Sequence, residues 1–238
     1  MNTRNRGRNS GDDLLFGNAN AVSRLKEAVA DMHYLLSRGF AEKASAELVG
    51  NRYRLRARQI QMLKGAAASR EQLDLRLSKA LTAEALKDKI IYIDGFNLVI
   101  LLESLLSGAY IFQGLDKCYR DLSSVHGSYK RVNQTQQSIE LVAGFHKRVQ
   151  PKQLIWILDK PVSNSGRLKQ LLLDFAASNE LDWEVHLEFN PDKYLVETGA
   201  TVITSDAWVL DHCKWWFNMI DYMILTENLE VNLFSVWE

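Results

Sequence analysis

Ile90-Ile91-Tyr92-Ile93-Asp94-Gly95-Phe96-Asn97 is the stretch on which the fold turns. Four β-branched or aromatic residues in unbroken succession suit a strand buried on both faces, and Asp94-Gly95 ends it abruptly. Leu98 to Leu106 then has the apolar density of a helix. Strand, break and helix make the opening unit of a parallel sheet.

The same unit recurs toward the C-terminus. Thr135 is placed to cap a helix running to about Arg148, and Gln153 to Leu158 is an apolar strand that stops at Asp159. Arg167 to Ala177 is helical. Trp183 to Phe189 alternates apolar Trp183, Val185, Leu187 and Phe189 with polar Glu184, His186 and Glu188, which suits a half-exposed strand near an edge. Ala200 to Thr204 is a further buried strand, and Tyr222–Leu225 and Val231–Trp237 are read as later strands or edge pieces. Trp208, Trp215 and Trp216 stand at helical spacing and are expected in the core.

Toward the N-terminus the texture differs. Residues 1–18 are rich in Asn, Gly and Arg and are expected to form a disordered tail. From Ala19 to Lys87 there is no proline, and Val22, Leu25, Val29, Met32, Leu35 and Leu36 recur at helical spacing. Gly39 and Gly50-Asn51 are read as breakers between about three helices. The expected organisation is a basic helical module over 19–88 and an α/β domain over 89–238.

The 238 residues carry no net charge, yet residues 1–89 hold 17 Lys+Arg against 10 Asp+Glu, an excess that residues 90–238 reverse. A basic module suited to a polyanion beside an acidic one suited to cations fits that split, as do two halves attracting each other. Cys118 and Cys213 stand outside any zinc or disulfide pattern. No run approaches the roughly 18 apolar residues of a membrane span, and the start lacks a signal core, so a cytoplasmic protein without membrane contact is expected.

Three strands end in aspartate: Asp94, Asp159 and Asp206. In an open parallel sheet the carboxyl ends of the strands share one edge, so these side chains converge. Asn190-Pro191 is suited to open a helix whose first turn brings Asp192 to the same edge. Each aspartate taken singly also reads as a helix N-cap. Crowded carboxylates, however, stay ionised most readily around a hard divalent cation such as Mg²⁺ or Mn²⁺.

Asp94-Gly95-Phe96-Asn97 after a hydrophobic strand, with Thr204-Ser205-Asp206 closing a later one, resembles the PIN and NYN nuclease superfamily over roughly residues 89–225. The resemblance implies a Rossmann-like parallel sheet and hydrolysis of phosphodiesters with Mg²⁺ or Mn²⁺. By position it implies Asp94, Asp192 and Asp206 as catalytic metal ligands, with Asp159 and Asp211 as further ligands. Leu-Leu-Ser-Arg-Gly-Phe (35–40) and Val-Gly-Asn-Arg-Tyr (49–53) also resemble a prokaryotic family of unknown function in which a short helical domain precedes a PIN-like one. The segment from Ser107 to Pro151 exceeds a minimal PIN connection; with Arg120-Asp121, His126, Tyr129, Lys130 and Arg131 it is read as an insertion forming a lid or substrate guide.

The expected function is metal-dependent hydrolysis of RNA; the rivals are a non-catalytic RNA-binding or regulatory module and a phosphoesterase for a small nucleotide. Asn97 beside the acids, Ser163, Ser165 and Arg167 at a helix start, Lys130 in the insertion, and Arg52 and Arg56 in the basic stretch are the expected substrate contacts. His212, beside Asp211, is read as structural. A homodimer is compatible with the sequence.

Overall fold

The computed structural model describes residues 6–123 and 128–237; His126 lies outside them. Four helices come first: α1 (Ala19–Ser37), α2 (Glu42–Arg52), α3 (Ala57–Ala66) and α4 (Arg70–Ser78). There follow β1 (Ile90–Asp94), α5 (Gly95–Leu106), β2 (Tyr110–Gln113), β3 (Tyr119–Arg120) and α6 (Thr135–Val149). The chain continues as β4 (Gln153–Asp159), α7 (Ser165–Ser178), β5 (Trp183–Glu188), α8 (Pro191–Glu197) and β6 (Thr201–Ile203). It ends as α9 (Ala207–His212), β7 (Trp215–Phe217), α10 (Met219–Glu227) and β8 (Asn232–Ser235).

The main sheet has five strands in the order β5-β4-β1-β6-β7, every neighbouring pair parallel. The apolar runs of β1 and β4 lie at its centre because both faces are covered. Ile91, Ile93, Leu154, Trp156 and Leu158 pack with α5, α6 and α7, while Ile155, Ile157 and Val202 meet Leu195 of α8 and Val209 and Leu210 of α9. β5 is an edge strand, as its alternation requires. No helix among the described residues is long and apolar enough to cross a membrane.

A second sheet, β3-β2-β8, lies under the N-terminal helices. Phe112, Leu122 and Phe234 join Leu25, Val29, Met32, Val49, Met62 and Leu63 in one core, so the helical layer does not close on itself. Gly50 is no breaker: it lies within α2, where a Cβ would come 3.1 Å from Ile60 Cδ1, and its bareness lets α2 and α3 approach.

Several expectations are corrected. Residues 6–18 are ordered: Asp13–Gly17 forms a single π-helical turn, Phe16 is buried with its ring 4.8 Å from that of Phe112, and buried Asp12 accepts two 2.9 Å bonds from Arg58. One aromatic and one aspartate anchor the segment to distant partners, which composition does not reveal. Tyr222–Leu225 belongs to α10, whose N-cap Asn218 accepts from the Asp221 amide, and Trp215-Trp216 opens β7. Segment 107–151 is no simple lid: it supplies β2, β3 and α6.

A buried ionic joint fastens the helical layer to the sheet. Arg76 of α4 donates to Asp211 of α9 at 2.6 Å and to Asp116 at 2.7 Å, and Arg120 closes on the same Asp116 at 2.7 Å. Gln72 also donates to Asp211, and the Trp216 indole donates to the Arg76 carbonyl. Removing one partner of a buried pair leaves an uncompensated charge. Arg76→Ala is therefore expected to lower unfolding stability by about 3–5 kcal/mol, read from urea denaturation. Arg76→Lys should recover little, since an ammonium cannot span both carboxylates with a rigid fork. A loss below about 1 kcal/mol for the alanine variant, the range of an exposed pair, would show that the joint is not structural.

Candidate functional site

The chain leaves β1 through α5 on one face of the sheet and leaves β6 through α9 on the other, so the two helices diverge and open a crevice between neighbouring strands. Asp94 stands at its floor. Gly95 permits the tight start of α5: a Cβ there would lie 2.5 Å from Leu158 Cδ2 and 2.9 Å from the Ile157 carbonyl oxygen. The Asp94 carboxylate does not cap α5; it accepts from the Thr204 hydroxyl at 2.8 Å. Thr204 Oγ1 in turn accepts from the Asp206 amide at 3.0 Å. Asn97 Oδ1 accepts from both the amide and the hydroxyl of Ser205, each at 2.9 Å, tying the loop after β6 to α5. Arg120 Nε donates to the Ser205 carbonyl at 2.9 Å and holds the loop from the other side.

Register sets the depth of the other acids. Asp94 pairs with Ile157, so Asp159 lies two residues, roughly 7 Å, further along β4. Ile93 pairs with Ile203, which places Asp206 comparably beyond β6. Asp94 is therefore buried while Asp159 and Asp206 are half-buried and Asp192, in the first turn of α8, is exposed at the rim. Among the described residues no three His, Cys, Asp or Glu side chains form a ready-made metal cage.

The four carboxylates nevertheless feel one another. Burial pushes the Asp94 pKa up to about 8; the Thr204 hydroxyl opposes this, and Asp192, Asp206 and Asp159 add to it. Asp192 is raised by dehydration of the rim and then by Asp206 and Asp159, and Asp159 is raised mainly by dehydration. Among the described residues none of the four is paired with Lys or Arg. Carboxylate oxygens are the donor type that Mg²⁺ or Mn²⁺ takes, and at this spacing a cation would keep part of its own water shell.

Of the expected ligands, Asp94, Asp159, Asp192 and Asp206 gather at this edge, and Asp206 also caps α9 by accepting from the Val209 amide at 3.0 Å. Asp211 does not join them. Five residues along a helix turn it about 140° from Asp206, and it faces Arg76 and Gln72 instead. Asn97 is a brace through its carbonyl oxygen. Arg52 and Arg56 are exposed in the helical layer, Arg52 beside Asp31 at 3.4 Å. Ser163 is exposed and Ser165 buried at the start of α7, whereas Lys130 and Arg167 line one cleft.

Thr204, named in the sequence only as part of Thr204-Ser205-Asp206, touches the Asp94 carboxylate, and Tyr129 and Arg131, named only within the insertion, line the cleft with Lys130 and Arg167. Trp208, expected in the core, is 47 % exposed and stacks on His212, whose Nδ1 lies 2.7 Å from the Trp208 carbonyl.

Comparison with known proteins gives a family and no activity. The chain belongs to the family described as Domain of unknown function (DUF5616), whose model matches residues 83–222. Residues 24–79 match the model described as Protein of unknown function (DUF434). The Uncharacterized protein MJ0935 of Methanocaldococcus jannaschii is 31% identical over 186 residues, which span 78% of this chain and 88% of that protein. No solved structure matches the chain.

The raised Asp94 pKa has a definite sign. A carboxyl raised from 3.8 to about 8 on folding stabilises the cation-free fold below about pH 4 and progressively less as pH climbs through 8. A divalent cation must displace that proton. The stabilisation by Mn²⁺ in thermal unfolding is therefore expected to grow from pH 6 to pH 8, and Asp94→Asn should abolish both the growth and the cation-free decline. A Mn²⁺ shift that is constant with pH, or unaltered in the variant, would rule out cation binding at Asp94.

Proposed function

We propose that this chain is a PIN-like, metal-dependent ribonuclease. One observation carries the reading: the buried Asp94 carboxylate at the crevice floor, joined by three further carboxylates, none of the four in a direct ion pair with Lys or Arg among the described residues. A crevice where crossovers diverge is where ligands bind in open α/β sheets, and Asp94-Gly95-Phe96-Asn97 and Thr204-Ser205-Asp206 supply its two sides. The oxygens of Asp94, Asp159, Asp192 and Asp206 would hold Mg²⁺ or Mn²⁺, which supplies an acidified water and offsets charge on phosphate oxygens.

The chain's own residues position and neutralise. Thr204 fixes the Asp94 carboxylate, while Asn97 and Arg120 hold the loop carrying Asp206. Lys130 and Arg167 stand at the cleft beside α7, where their charges can meet a phosphate. No protein nucleophile is required.

The N-cap role of Asp206 favours a second reading, a binding module that retains the shape without turnover. Labelled single-stranded and structured RNAs incubated with Mn²⁺ or Mg²⁺ distinguish them. Cleavage is expected from the native chain, with losses on the order of a hundredfold or more in Asp94→Asn and Asp206→Asn, both still folded. RNA bound but uncut by the native chain would favour the binding module, and RNA cut equally by all three would overturn the acidic edge as the catalytic site.

A further inference from the structure

We infer that the cleft between residues 129–131 and the start of α7 is a subsite for one nucleoside monophosphate unit, its phosphate held by Lys130, Arg131 and Arg167. The cleft encloses about 410 Å³, within the size range of small-molecule pockets. Lys130, Arg131 and Arg167 are all exposed at its walls, and among the described residues none has a carboxylate partner. Three cations around one concavity, unpaired within the protein, call for an anion from outside. The remaining wall is Asn164 with buried Tyr129 and Leu168 and half-buried Leu171, so most of it is apolar. A free inorganic anion would leave that surface bare, whereas a base would cover it.

The walls are held rigidly. The Tyr129 amide donates to the Ser163 carbonyl at 3.1 Å, and Asn164 Nδ2 donates to the Tyr129 carbonyl at 2.9 Å. Beneath them the fully buried Glu103 accepts from the Tyr129 and Thr135 hydroxyls and pairs with Arg6, whose Nη2 donates to the Lys130 carbonyl at 2.6 Å. Main chain and buried acid thus fix the two sides before any ligand arrives, which limits the ordering required on binding. The cleft also adjoins the acidic crevice, because the Tyr129 ring lies 5.3 Å from that of Phe96, two residues after Asp94. The link between this subsite and hydrolysis rests on the ribonuclease reading; the binding itself does not.

Calorimetric titration of the full chain with adenosine 5′-monophosphate in EDTA tests the subsite without the acidic centre. Saturable binding that weakens as salt rises is expected, reduced roughly tenfold or more by Arg167→Ala and by Arg131→Ala and unaltered by Arg24→Ala in α1. Adenosine and inorganic phosphate should each bind more weakly than the nucleotide. Adenosine binding as tightly, or no loss in the cleft variants, would overturn the proposal. Inorganic phosphate binding as tightly as the nucleotide would reduce it to an anion site and overturn the nucleotide assignment. Nucleotide binding that persists in a chain unable to cut RNA would count against hydrolysis alone, and RNA cleavage without nucleotide binding against the subsite alone.

Discussion

A carboxylate withdrawn from water is the constraint around which this molecule is arranged. An isolated buried charge is costly enough that the group takes up a proton instead, and Asp94, with one hydroxyl for a partner, is in that position. Its neighbours make ionisation harder, since the sheet order delivers three more carboxylates to the same edge. The structure tolerates this because the crevice opens to solvent: only Asp94 is deep, and the others stand progressively nearer the rim. A protein that needed only a helix cap at this strand end would have turned the side chain toward the α5 amides.

What surrounds the crevice is correspondingly over-determined. The loop after β6 is gripped by Asn97 from α5 and by Arg120 from the small sheet, and Arg120 also donates to the Gly65 carbonyl of α3. Asp116 neutralises Arg120 and Arg76 together; burial works to raise its pKa, but the two guanidiniums outweigh this and hold it below the usual carboxylate range. The helical layer, the second sheet and the acidic edge are therefore one mechanical unit. The long segment after α5 serves mainly as the frame that ties them, and among its described residues 129–131 reach the cleft wall as a guide would.

Two charge systems lie at the same end of the sheet with opposite character. Among the described residues the crevice carboxylates have no direct ion pair, with Arg120 acting on Asp206 only from a distance, and the cleft cations have no carboxylate partner. Within one folded chain such groups would lower their energy by pairing, and the frame keeps them apart. Exogenous ions of both signs are the natural complement, and a metal-bound polyanion supplies both.

The sequence by itself determined the parallel sheet, the strands at 90–94 and 153–159, and the aspartates at their ends, because these depend on local apolar runs and on the shared direction of parallel strands. It also identified Asn190 as a cap, which needs only the residues that follow it. Tertiary structure alone decided which acids stay. Asp211 faces Arg76 rather than the crevice because helical rotation and a helix from the far end of the chain meet there. It alone decided that Gly50 lies inside a helix, that Trp215-Trp216 forms an edge strand, and that the segment before Ala19 docks through Asp12 and Phe16. Each of those outcomes depends on partners in other elements of the fold, from ten residues away for Gly50 to about a hundred for Phe16, and nearby spacing carries no record of them.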